Sequence, residues 1–179
     1  RESPEDFRVL EKLREDGTRR IIPVEEAQRS SYRYAVYLAN KTNIETSELV
    51  RDLASSMGLK VWDIKHFGLK DKRARTSQYL CAKLRGDMSP PIKMQGTHWD
   101  AELCGLCNRP FEPEDVIGNA FEIRLKVEES IARDEFDSFL KRFIDWSTTN
   151  GIPDFYGYQR FGTTRPINHI LGYLIVKGD

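Results

Sequence analysis

Apolar positions along the chain recur with two different periods. Tyr32, Tyr34, Val36 and Leu38 fall on one side of an alternating run, and Phe7 and Val9 with Glu11 to Leu13 begin a shorter one; both predict half-buried strands. Thr46 precedes Leu49, Val50, Leu53, Ala54 and Met57, which recur at three- and four-residue steps before Gly58. That spacing predicts a helix capped by Thr46 and closed by a left-handed glycine. Ile64 to Phe67 and Gln78 to Leu84 predict two strands, so Asp71 falls in the connection between them. A loop is predicted after Ser89-Pro90-Pro91, and Phe121, Ile123, Leu125 and Val127 alternate with charged residues as a further strand. Phe136, Phe139, Leu140, Phe143 and Ile144 form a helical stripe read as core, ended near Asn150-Gly151, and Ile167, Ile170, Leu171, Leu174 and Ile175 form another. Helices and strands alternate irregularly and the strand pairs look hairpin-linked. The predicted class is α+β, with a mixed, mainly antiparallel sheet carrying packed helices.

Charge refines this picture locally. The 28 basic and 28 acidic residues cancel, so no global field draws the chain to nucleic acid. From Lys60 to Arg75, however, six Lys or Arg face two acids, whereas from Asp100 to Glu122 six acids face one Arg. A basic stretch of this kind can neutralise phosphates in a salt-dependent way, or can simply be a solvated loop. No apolar run approaches the ~20 residues of a membrane span, and the first residues lack the apolar stretch of a signal peptide. The expectation is a soluble cytoplasmic protein without membrane contact.

Three cysteines, Cys81, Cys104 and Cys107, are an odd number with no sign of secretion, so reduced thiols are expected. Cys104-Gly-Leu-Cys107 has the gap of a zinc knuckle and His98 lies upstream, but a closed zinc site needs a fourth ligand, usually from a second pair. No metal is expected. The segment reads as a strand and its turn, which also disfavours a redox pair at a helix start.

Two segments carry chemistry. Gly68-Leu69-Lys70-Asp71-Lys72-Arg73-Ala74-Arg75-Thr76-Ser77-Gln78 sets one carboxylate among basic side chains. An Asp in such a turn is ordinarily a turn former. Here Lys70, Lys72 and Arg73 would hold it ionised, and an ionised carboxylate can act as nucleophile or base without a cofactor. Thr76 and Gln78 add hydrogen-bonding groups on the outgoing strand. The second segment, Pro153-Asp-Phe-Tyr-Gly-Tyr-Gln-Arg-Phe-Gly162, combines aromatic rings, glycines and Arg160 in a turn-prone stretch. Stacking a base on a ring contributes ~1–3 kcal/mol, and an extruded base needs one such platform. Phe155 and Phe161 suit packing on the neighbouring helix, which leaves Tyr156 as the ring for a base. Arg160 could reach a phosphate or a carboxylate.

These segments, with Pro4 to Val9 and Glu11, Lys41 to Thr46, and Gly118-Asn119-Ala120-Phe121, occur in the order found in the TruD family of pseudouridine synthases, which the chain resembles along nearly its whole length. The resemblance implies isomerisation of a uridine in RNA, for many members uridine 13 of tRNA, with no metal or organic cofactor. It makes Asp71 the catalytic residue, attacking either C1′ or C6. It places Tyr156 on the uracil, where the family usually has Phe, and Arg1 where a basic residue, usually Lys, pairs with the catalytic carboxylate. Lys70, Gln78, Asn119, Asp154 and Arg160 complete the implied substrate-binding set.

Asp154 stands where the family pattern has Asn. An amide both donates and accepts toward uracil, whereas a carboxylate only accepts, and a second negative charge near Asp71 tends to raise one of the two pKa values. Family members also continue beyond the point matching Asp179, so residues 1–179 are expected to be a single domain forming the N-terminal portion of a catalytic domain. The alternative reading is a catalytically inactive RNA-binding module of the same fold.

Overall fold

The computed structural model describes residues 3–23, 25, 32–152 and 167–178. The chain divides into two units, Arg1–Lys126 and Val127–Asp179. The first is built on seven strands: β1 (Phe7–Leu13), β2 (Tyr34–Thr42), β3 (Ile64–His66), β4 (Arg75–Lys83), β5 (Lys93–Gln95), β6 (Trp99–Cys107) and β7 (Val116–Ile123). Their order is β5-β6-β2-β4-β1-β7, with β3 also paired to β4. Every pairing is antiparallel except β1 with β4. The α+β class with a mainly antiparallel sheet is therefore as the sequence predicts.

Strand β4 is the axis of this sheet. β2 follows one of its edges from Arg75 to Lys83. The other edge is divided: β1 runs beside Arg75–Ser77, and β3 beside Leu80–Ala82. Between those two neighbours the Tyr79 N–H donates to the Glu11 carboxylate at 2.9 Å. A side chain thus supplies an acceptor at the seam between two strands.

Helix α2 (Thr46–Ser56) covers one face of the sheet. Its Leu49, Val50, Leu53 and Ala54 are buried in one cluster with Tyr37, Ala39, Leu80, Ala82, Trp99 and Ala101. Each fully buried Leu or Val there contributes roughly 1.5–3 kcal/mol. The helix is capped one residue earlier than predicted: Glu45 is the N-cap, and its N–H donates to the Glu48 carboxylate at 3.0 Å. Thr46 is already helical and turns its hydroxyl inward. Gly58 ends the helix at φ +63°, as predicted.

On the opposite face Val36, Cys81, Cys107 and Phe111 form a smaller core. Cys104 is exposed while Cys107 is buried, with its thiol donating to the Arg109 carbonyl at 3.0 Å. Gly105 lies where the β2–β6 register shifts, and its Leu106 neighbour exchanges backbone hydrogen bonds with Ile22. A short helix, α1 (Glu15–Arg19), is tied to the turn before β7: Arg14 N–H donates to the Asp115 carbonyl at 2.7 Å, and Arg20 pairs with the Asp115 carboxylate.

The second unit carries α3 (Arg133–Asn150) and α4 (Asn168–Lys177). Both fall where their stripes predict, yet neither buries a residue. Phe139 and Phe143 stack at 6.5 Å along α3 and stay about half exposed. The sequence reading takes these rings as core, but a helix face closes only when a second layer lies on it. Among the described residues no helix is long and apolar enough to cross a membrane.

Candidate active site

The loop from Phe67 to Ala74 joins β3 to β4, and Gly68 at φ +74° turns the chain out of β3. Leu69, Asp71, Lys72 and Arg73 point to solvent, whereas Lys70 and Ala74 are buried. The loop thus shows its carboxylate outward and sends the lysine beside it inward.

Four side chains hold the loop from below. Lys70 Nζ lies 2.6 Å from Glu11 Oε1 and donates to the Phe67 carbonyl at 3.0 Å. Lys70 N–H donates to Thr46 Oγ1 at 3.0 Å, and that hydroxyl donates to Gln78 Oε1 at 3.3 Å. Lys41, only 1 % exposed, donates to the carbonyls of Ile44 (2.9 Å), Lys70 (3.1 Å) and Asp71 (2.8 Å). Burial pushes the Lys41 ammonium below the ordinary lysine range, against the pull of the Glu45 and Asp71 carboxylates and with a push from Lys70. Gln78 and Thr76 are fully buried here, and among the described residues Gln78 Nε2 and Thr76 Oγ1 have no hydrogen-bond partner.

This arrangement distributes the basic residues around Asp71 differently from their order in the chain. Lys70 directs its charge to Glu11, and Lys72 reaches toward Glu45 at 3.9 Å. The buried cation at Asp71's own backbone is Lys41, from β2. Sequence reasoning passes over it because it is thirty positions away. A signal was present: Lys41 is in phase with the inward positions Ala35, Tyr37 and Ala39 of β2, where a charged residue needs a partner inside.

Of the remaining predicted site residues, Asn119 lies on β7 directly across from Glu11, exposed and on the same face of the sheet. Lys70 and Gln78 are both beneath the loop. Arg1, Asp154, Tyr156 and Arg160 lie outside the described residues, as do Phe155 and Phe161. Two open clefts meet at Arg75, which lies one turn of loop beyond Asp71. One, about 380 Å³, is lined by Asn40, Thr42, Gln95, His98 and Asp100; the other, about 360 Å³, by Arg8, Leu10, Ser77 and Phe121.

The fold and the loop together define an α+β protein that displays one carboxylate on a braced strand-to-strand connection. The model of the TruD family, tRNA pseudouridine synthase D, matches residues 1–179, and the chain belongs to that family. Proteins named probable tRNA pseudouridine synthase D from Pyrobaculum islandicum and Methanococcoides burtonii are each 33 % identical to it, over 98 % and 100 % of this chain and 40 % and 38 % of their own length. A crystal structure from Methanosarcina mazei, of a protein assigned as tRNA pseudouridine synthase D (TruD), superposes with a TM-score of 0.75 at 27 % identity. That match covers 99 % of this chain and 38 % of the other. The chain therefore spans about two fifths of the length of the relatives it matches.

Proposed function

We propose that this chain provides the nucleophile-bearing portion of a tRNA pseudouridine synthase, an isomerase that converts uridine to pseudouridine, at position 13 of tRNA, without a cofactor. The observation that carries this reading is the placement of Asp71: an exposed carboxylate on a loop whose backbone is fastened from below by Lys41, Lys70 and Thr46, in a chain of the TruD family. A carboxylate nucleophile needs to be ionised, accessible and held still.

In the proposed reaction the target uridine leaves its stack and Asp71 attacks C1′ or C6. The glycosidic bond breaks, the uracil turns, C5 bonds to C1′, and the C5 proton leaves. Tyr156 provides the stacking face, Asp154 and Asn119 meet the base edge, and Arg1 and Arg160 meet anionic groups. Lys70 and Gln78 serve from beneath, through the loop. Residues 1–179 then act as the first part of a larger catalytic domain with tRNA as partner.

The test is release of tritium from unmodified tRNA labelled at uridine C5, using the full-length protein. Asp71→Asn should abolish release and leave RNA affinity within a few-fold. Retained turnover would overturn the assignment of Asp71, and RNA retention without release by the wild type would make this a binding module.

A further inference from the structure

Asp71's position depends on two peptide groups, the one that enters it and the one that leaves it. The carbonyl of the first belongs to Lys70 and that of the second to Asp71 itself, and both accept a hydrogen bond from the Lys41 ammonium, at 3.1 and 2.8 Å. With both flanking peptides tethered to one atom, the Cα–Cβ direction of Asp71 is set, because only the two dihedrals between those planes remain to orient it. We propose that Lys41 is the positioning residue of this site, aiming the Asp71 carboxylate from inside the sheet without touching substrate. This rests on the assignment of Asp71 above.

Three features separate Lys41 from an ordinary buried lysine. An ammonium has three donors, and the carbonyls of Ile44, Lys70 and Asp71 engage all of them, so none is left for a ligand. The third carbonyl ties the same nitrogen to the turn entering α2, and that helix also reaches the loop through Thr46. Asp71 is therefore referred to two rigid elements, β2 and α2. Finally, taking a charge out of water is costly, and among the described residues the hydrogen-bond partners of Lys41 Nζ are carbonyls and none is a carboxylate. Filling space alone calls for no cation here, whereas gathering three carbonyls at one point does.

The experiment compares Lys41→Met and Lys41→Arg with wild type in the full-length protein, by tritium release and by amide hydrogen exchange across residues 68–75. Misplacing a reacting group by about 1 Å can cost on the order of 10²-fold in rate. Lys41→Met should therefore lower kcat by about that factor, hold KM within about threefold, and speed exchange in the loop while α2 and β4 keep their protection. Lys41→Arg retains charge but spreads its donors over a plane, and should recover less than a tenth of wild-type kcat. Unchanged kcat, a loss carried by KM alone, or unchanged loop exchange overturns the proposal. If Lys41→Met does not fold, Lys41→Arg decides alone: wild-type kcat rejects positioning, and a lowered kcat at constant KM supports it. A wild type that releases no tritium defeats the synthase reading instead, and the exchange comparison still rules on Lys41.

Discussion

Glu11 and Lys70 meet at 2.6 Å under the loop that carries Asp71, both essentially buried, and join β1 to the residue next to Asp71. Glu11's other oxygen accepts from Tyr79 N–H on β4. One carboxylate thus links strand, strand and loop. Removing it leaves a buried ammonium whose remaining partner among the described residues is the Phe67 carbonyl. Glu11→Gln should cost about 3–5 kcal/mol in urea unfolding, and the double replacement Glu11→Leu with Lys70→Met should recover much of this. A double variant no more stable than the single one would contradict the pairing.

Thr46 serves the loop and not the helix start. Thr46→Val removes the acceptor of a buried N–H and should cost about 1–3 kcal/mol, whereas Thr46→Ser stays near wild type. Amide exchange at the first turn of α2 should be unchanged in both, because Glu45 is the cap. Faster exchange confined to that turn would return Thr46 to a capping role.

Gly105 has φ +151°, and a Cβ there would lie 2.4 Å from the Ile22 carbonyl oxygen. Gly118 has a similar φ of +147° with open space around it. Alanine at 118 carries backbone strain alone, of order 1–3 kcal/mol. Alanine at 105 adds a clash with a second strand of chain, so its melting temperature should fall further below wild type than that of Gly118→Ala. Equal shifts would show that the close approach of Ile22 is unimportant.

Asp115 supplies a pH dependence. Burial works to raise its pKa, but the Arg20 guanidinium and the Glu112 N–H outweigh it and hold the carboxyl below its ordinary value. The folded state therefore binds this proton less readily than the unfolded chain, and stability from the ionised form is present above about pH 4 and lost as pH falls through the lowered folded value. The stability gap between wild type and Asp115→Asn should be widest near neutrality and close in acid. A gap of the same size at pH 3 and pH 7 rules this out.

Much of the frame was legible because it depends on local periodicity. The α2 stripe, the alternation in β1 and β2, and the strand-to-strand position of Asp71 all follow from spacing along the chain. Elements held by distant partners were not legible. α1 has no apolar stripe and depends on Asp115, nearly a hundred positions away, while β5 is three residues long and exists by pairing with β6. At the site, chain order suggested that Lys70 serves Asp71 from beside it, and the structure turns that ammonium down to Glu11. Lys41 escaped notice because its role is set by the β2–β4 register, which brings it opposite Thr76 at the foot of the loop.

The divided edge of β4 bears on the order of assembly. The β3–β4 hairpin closes over a short stretch, whereas the pairing of Val9 with Thr76 must bring together distant parts of the chain, an entropically slower event. On refolding, protection of the hairpin should precede that of the loop, which gains its Glu11 anchor when the amino-terminal strand docks. A chain clipped of that strand would keep the Lys41 and Thr46 tethers of the Asp71 loop and lose the one that Glu11 supplies through Lys70.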